Sequence, residues 1–169
     1  CHNPSSIDPV TAAEAWGGTI DMTEMIHKIH YGENLSNGYF IFGYGDNLHD
    51  YSDIKFTQAQ NNCDSCHNES DANTPQASNY YRVVTRRACG ACHDDVDWAG
   101  GGHPGGLVAT DDQFCLQCHG ADTTNFDGAY RVKNIHIDPI RTADEAFKYV
   151  IVGITDTNPG DTPTVSIRV

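Results

Sequence analysis

Asn62-Cys63-Asp64-Ser65-Cys66-His67 returns in outline as Ala88-Cys89-Gly90-Ala91-Cys92-His93 and again as Phe114-Cys115-Leu116-Gln117-Cys118-His119. Each holds Cys-x-x-Cys-His, the attachment pattern of c-type haem. Chemistry sets that spacing. Two intervening residues let both sulfurs reach the vinyl groups on one porphyrin edge, and the next residue offers an imidazole to the iron. Two alternatives compete. Cys63, Cys66, Cys89 and Cys92 could form a four-cysteine zinc site, since paired CxxC motifs about 20 residues apart are a zinc pattern. Disulfides are the other. Neither needs a histidine after each pair. Histidine is 9 of 169 residues, so three trailing histidines would arise by chance with odds of roughly (9/169)³, on the order of one in 10⁴. Haem c is therefore the expected cofactor.

Composition agrees with a chain organised by cofactors. Hydrophobic residues make up 38%, mean hydropathy is −0.49, and there are 16 Gly and 7 Pro. That is thin material for an ordinary apolar core. A porphyrin is a large apolar disc and can stand in for side chains. The expected fold is a multihaem cytochrome c: little regular secondary structure, short helices and loops wrapped around haems, with a C-terminal β-hairpin that begins a β-domain. The net charge of −13 repels nucleic acid and anionic membranes. No apolar run approaches the roughly 18 residues of a membrane span. Covalent haem attachment generally occurs outside the cytoplasm, so an exported protein is expected.

The seventh cysteine is Cys1, followed by His2 and Asn3, as Cys66 is followed by His67 and Asn68. The favoured reading is that the chain begins inside a fourth haem motif, with Cys1 as its second thioether and His2 as its iron ligand. Lipidation of Cys1 is the alternative. Three haems are expected on the complete motifs, a fourth at Cys1 and His2, with room for a fifth upstream.

Histidines outside the motifs are candidates for the opposite axial position. Asp21 to Tyr31 predicts a helix, with Asp21 as cap, Glu24 placed as in a capping box and Gly32 as stop. Met22, Met25, Ile26 and Ile29 form its apolar stripe. His27 and His30 lie three apart on neighbouring parts of one face. Burying an unpaired imidazole there would be costly, and iron ligation removes that cost. His103 stands between glycines in Gly100–Gly106, a flexible turn that lets backbone approach a porphyrin. His136 lies between Ile135 and Ile137, and His49 precedes Asp50 and Tyr51. Met22 and Met25 could also ligate iron, but read better as packing. Bis-His iron has no vacancy for substrate and suits electron passage.

Residues 1–138 read as the haem domain and 139–169 as the start of a β-sandwich or barrel-like domain. Phe147 to Thr155 is β-branched and apolar, Asn158-Pro159-Gly160-Asp161 is a turn, and Thr162 to Val169 alternates. Two such strands alone are marginal.

The residues also resemble a family. Cys1-His2-Asn3-Pro4, Met25-Ile26-His27-Lys28-Ile29-His30, Gly43-Tyr44-Gly45 with His49-Asp50-Tyr51-Ser52, the 62–67 motif, and Ala88 to Asp97 with Gly102-His103 look like OmcA/MtrC-type outer-membrane multihaem (decahaem) cytochromes c. The resemblance implies a pentahaem domain followed by a β-barrel-like domain. It implies closely spaced bis-His haems at the cell surface. It implies electron relay to metal oxides, flavins, other cytochromes or an outer-membrane conduit, with the periplasm as alternative location. This chain has three complete motifs and one half motif where that domain has five. Two other functions stay open: a multihaem reductase of a small oxyanion, which needs one iron with an open side, and a subunit of a conducting filament. An electron carrier rather than an enzyme is the expectation.

Overall fold

The computed structural model describes residues 2–4, 6–8 and 19–169. The chain divides into two compact units, residues 1–136 and 137–169.

In the first unit, α1 spans Met22–Tyr31. Asp21 caps it by accepting from the Thr23 amide at 3.0 Å, and Gly32 at φ 43° closes it. The Gly32 position also lies against Ile54, whose carbonyl would sit 2.2 Å from an added Cβ, so only glycine fits there. The apolar stripe divides between two surroundings. Met25 and Ile29 pack on the buried cluster of Leu35, Tyr39 and Ile41, while Met22 is 48% exposed and Ile26 40%. The expectation that both methionines pack in a core is thus met by Met25 alone.

After Gly32 the chain forms a small hairpin. Strand β1, Phe40–Phe42, pairs antiparallel with β2, Leu48–Asp50, placing Ile41 opposite His49. Tyr39 is fully buried, and its hydroxyl donates to the Thr19 carbonyl at 2.5 Å. Short helices follow: α2 at Asn79–Arg82, α3 at Arg86–Gly90, α4 at Asp112–His119 and α5 at Val132–Ile135. Thr85 caps α3 through the Ala88 amide, and Asp111 caps α4 through that of Gln113. Gly100–Gly102 is not a free turn. Asp97 Oδ1 accepts from the Ala99 and Gly100 amides, and its carbonyl from Gly102.

In the second unit, Asp138 caps α6, Pro139–Ala146, with proline at its first turn. Strands β3, Val150–Thr155, and β4, Thr164–Arg168, form the expected antiparallel hairpin, with a bulge between Ile151 and Gly153. Helix α6 was missed at sequence level although Asp138-Pro139 is an ordinary start signal.

Among the described residues only eight hydrophobic side chains are buried, three of them alanines. Apolar side chains with histidines beside them lie open instead: Leu107 and Val108 near His103, and Ile135 next to His136.

Candidate functional site

Each motif sits on a helical turn. Cys63–Ser65 form a 3₁₀ turn, Cys89 ends in α3, and Cys115 to His119 lie within α4. In the first two motifs the histidine amide donates back to the carbonyl of the first cysteine, at 2.8 Å for His67 and 2.9 Å for His93. That winding puts both sulfurs and the imidazole around one turn. The six motif sulfurs are not joined to one another.

Burial pushes the Cys89 and Cys92 thiols up to about 11, and raises those of Cys63 and Cys115 as well. Zinc requires thiolates, which this environment disfavours. A neutral thioether carries no such cost. Among the described residues no three His, Cys, Asp or Glu side chains gather as a zinc centre would need.

The histidines come in twos. His27 faces His67 with ring centres 6.3 Å apart and planes 10° from parallel. His93 faces His136 at 6.2 Å, and His103 faces His119 at 6.0 Å. Metal–imidazole bonds run about 2 Å and the ring centre lies about 1 Å beyond the nitrogen, so two imidazoles on one ion have centres roughly 6 Å apart. All three pairs fit that separation, each joining one motif histidine to one from elsewhere in the chain.

Tautomers fit too. A carbonyl only accepts, so a ring nitrogen bonded to one must carry the proton. Nδ1 donates to Thr23 from His27 (2.5 Å), to Ala77 from His67 (3.1 Å), to Pro104 from His103 (2.9 Å), to Tyr130 from His119 (2.8 Å) and to Val132 from His136 (3.2 Å). This leaves Nε2 with its lone pair, the form that ligates a metal. Burial lowers the basicity of His27 and His136, which keeps them neutral.

The remaining candidates are placed differently. His2 and His30 share the Nδ1-to-carbonyl arrangement, with Ile20 at 2.9 Å and Ile26 at 2.6 Å. The ring of His30 meets Phe56 edge-on at 4.8 Å. His49 stacks on Tyr51 at 6.4 Å and lies over Gly43, on an exposed strand. Cys1 lies outside the described residues.

Ion pairs tie the carriers together: Arg87 of α3 meets Asp21 at the head of α1, which brings His27 to the first motif, and Arg86 meets Asp112 of α4, which carries the third. The second motif is thus the middle one. Sequence alone missed the supporting aromatics. Tyr80 sits 5.4 Å from His67 and donates its hydroxyl to Asp64, while Trp98 lies 6.1 Å from His103.

Short helices presenting CxxCH turns, with facing imidazoles and little side-chain core, define a multihaem c-type cytochrome domain. Residues 1–136 match the family described as outer membrane cytochrome MtrC/MtrF-like, domains II/IV, and the chain belongs to that family. It is similar to the multiheme cytochrome MtrC of Shewanella baltica (strain OS185), with 33% identity over 106 residues, 62% of this chain and 14% of that relative. The fold is similar to the crystal structure of the outer membrane decaheme cytochrome OmcA, with TM-score 0.57 and 23% identity across 99% of this chain and 24% of that one. The chain therefore spans a small part of either relative's length. Among the described residues no helix is long and apolar enough to cross a membrane.

Proposed function

We propose that this domain is an electron relay built on bis-His haem c. The observation that carries the reading is the set of three facing imidazole pairs at 6.0–6.3 Å. Cys63 and Cys66 would hold the first haem, with His67 and His27 as iron ligands. Cys89 and Cys92 would hold the second, with His93 and His136. Cys115 and Cys118 would hold the third, with His119 and His103. Such a group would supply a reversible one-electron iron couple. The protein's part is to fix the tautomer of five of the six paired imidazoles through a backbone carbonyl and to keep neighbouring sites close.

His2 with Cys1 belongs to a fourth haem, and His30 ligates an iron outside the three complete motifs. Electrons arriving from another cytochrome or an outer-membrane conduit would leave to an extracellular acceptor such as a metal oxide or a flavin. The acidic surface favours docking to cationic patches. This placement at the outer surface is supported by the family described above. A redox titration followed optically tests the relay. Low-spin ferric and ferrous spectra spread over several midpoints are expected. High-spin ferric bands, or carbon monoxide binding to the reduced protein, would reveal open iron and overturn the bis-His reading.

A further inference from the structure

Five of the six paired imidazoles donate from Nδ1 to a main-chain carbonyl, and among the described residues His93 alone has no such acceptor. The main chain on either side of His93 is held instead. Before it, the His93 amide donates to the Cys89 carbonyl at 2.9 Å. After it comes Asp94, which is bound to a turn 57 and 58 residues away in sequence. One Asp94 carboxylate oxygen accepts from the Ser36 amide at 2.9 Å and the other from the Asn37 amide at 2.8 Å. The Asn37 side chain donates in return to the Asp94 carbonyl at 2.8 Å.

The other two motifs are built differently. The residue after His67 is Asn68, whose bonds run to Ser70, Asp71 and Thr74 of its own loop. After His119 comes Gly120, bonded to Leu116 and Thr123. The turn that holds Asp94 is itself anchored. Leu35 before it and Tyr39 after it belong to the buried cluster, and Tyr39 is fully buried. Two adjacent amides meeting one carboxylate make short, charge-assisted bonds with a fixed direction. They place the backbone from which the neighbouring His93 side chain starts.

We propose that Asp94 is the positioning residue for His93, doing through the main chain what a carbonyl does for each of the other five rings. The inference rests on the haem assignment above. Partners that orient a metal ligand bear on the site almost as strongly as the ligand itself. The clamp holds the His93 ring at its 66° crossing with that of His136. It also makes the second site answer to the turn beyond α1, the helix that carries His27 of the first pair.

The angle between two axial imidazole planes shapes the low-spin ferric resonance, so electron paramagnetic resonance of the oxidised holo-protein reads ring position. The signal altered by His136→Met marks the second haem. Asp94→Ala is expected to shift and broaden that signal, with the others in place and haem count by intact mass unchanged. Ser36→Pro removes one amide donor and keeps the Asp94 charge. Leu35, at φ −70° and ψ 134°, already has the backbone that precedes a proline. Ser36→Pro is expected to alter the same signal, and the double variant to go no further than Asp94→Ala alone. Signals unmoved in the fully haem-loaded variants, or moved only at another haem, would reduce Asp94 to a structural tie and overturn the proposal, even with a lowered urea midpoint. A raised redox midpoint in Asp94→Ala and Asp94→Asn, with every resonance unchanged and no effect of Ser36→Pro, would assign Asp94 a charge effect alone and overturn it too. Should Asp94→Ala fold poorly, Asn37→Ala loses only the bond to the Asp94 carbonyl and is expected to broaden the same signal to a smaller extent. Wild-type protein without Soret absorption would instead overturn the haem assignment.

Discussion

At the residue scale, each paired imidazole outside the second motif's own histidine is aimed by a main-chain carbonyl. His136 shows how local that aim is, because its acceptor, Val132, lies one turn earlier in the same helix. The ring's orientation is thus written into five consecutive residues, and replacing the ring should change the iron rather than the fold. A His136→Met substitution is expected to raise one midpoint by a sizeable part of the roughly 0.8 V that axial ligands command. Haem count by intact mass should not change. An unshifted set of midpoints would remove His136 from the ligand set. Asp21 does a different task. It caps α1 through Thr23 and meets Arg87 at 2.6 Å with its own side chain only 3% exposed. Losing one partner of a fully buried pair costs about 3–5 kcal/mol. Arg87 is 42% exposed, which reduces that figure. Asp21→Ala is therefore expected to lose about 2 kcal/mol, roughly half of it from the cap, read as a lower urea midpoint of the holo-protein.

At the element scale, the helices serve as carriers. Helix α1 brings His27 to the first motif, and its partner α3 carries the second. Much of this was legible in the chain. The three pentapeptides mark the helical turns on which the histidine pairs are built, and Asp21 and Gly32 mark both ends of α1. The pairing was not legible. His27 lies 40 residues before its partner His67, His136 lies 43 after His93, and His103 lies 16 before His119. Those three separations share no period that a sequence pattern could expose. Helices α2 and α5 were missed because four-residue turns carry almost no periodicity. Contacts between carriers were also hidden, and one gives a pH dependence. Arg86 donates to Asp112 at 2.7 Å, tying α3 to α4, and holds the Asp112 carboxyl below its ordinary 3.8. A carboxyl depressed in the folded state binds its proton sooner in the unfolded one. Its contribution is therefore complete above about pH 3.8 and is lost as pH falls through the folded value. Urea midpoints measured from neutral pH down to pH 3 should fall less steeply in Asp112→Asn than in wild type. Parallel curves would show that this tie adds nothing to acid stability.

At the scale of the whole molecule, the small buried cluster at Leu35, Tyr39 and Ile41 lies in the first unit and takes in few of that unit's apolar side chains. Phe114 on α4 is 59% exposed and Phe126 65%, next to motif residues rather than away from them. Apolar surface so arranged is stable only when something apolar covers it. The cofactors are then part of the folding free energy, as a structural metal is in a small domain. Two measurements follow from this one argument. Intact mass of the mature protein should exceed the polypeptide by about 0.6 kDa for each of the three complete motifs, and by one further increment if Cys1 and His2 carry a fourth. The same chain made where haem is not attached should lose its cooperative transition, because the five large hydrophobics buried among the described residues cannot order its long loops. It should show a broad, featureless urea profile and weak near-ultraviolet dichroism. Adding zinc should restore neither. A sharp, two-state transition in the haem-free chain would mean that side chains alone specify this fold, and the cofactor-centred account of its interior would fail.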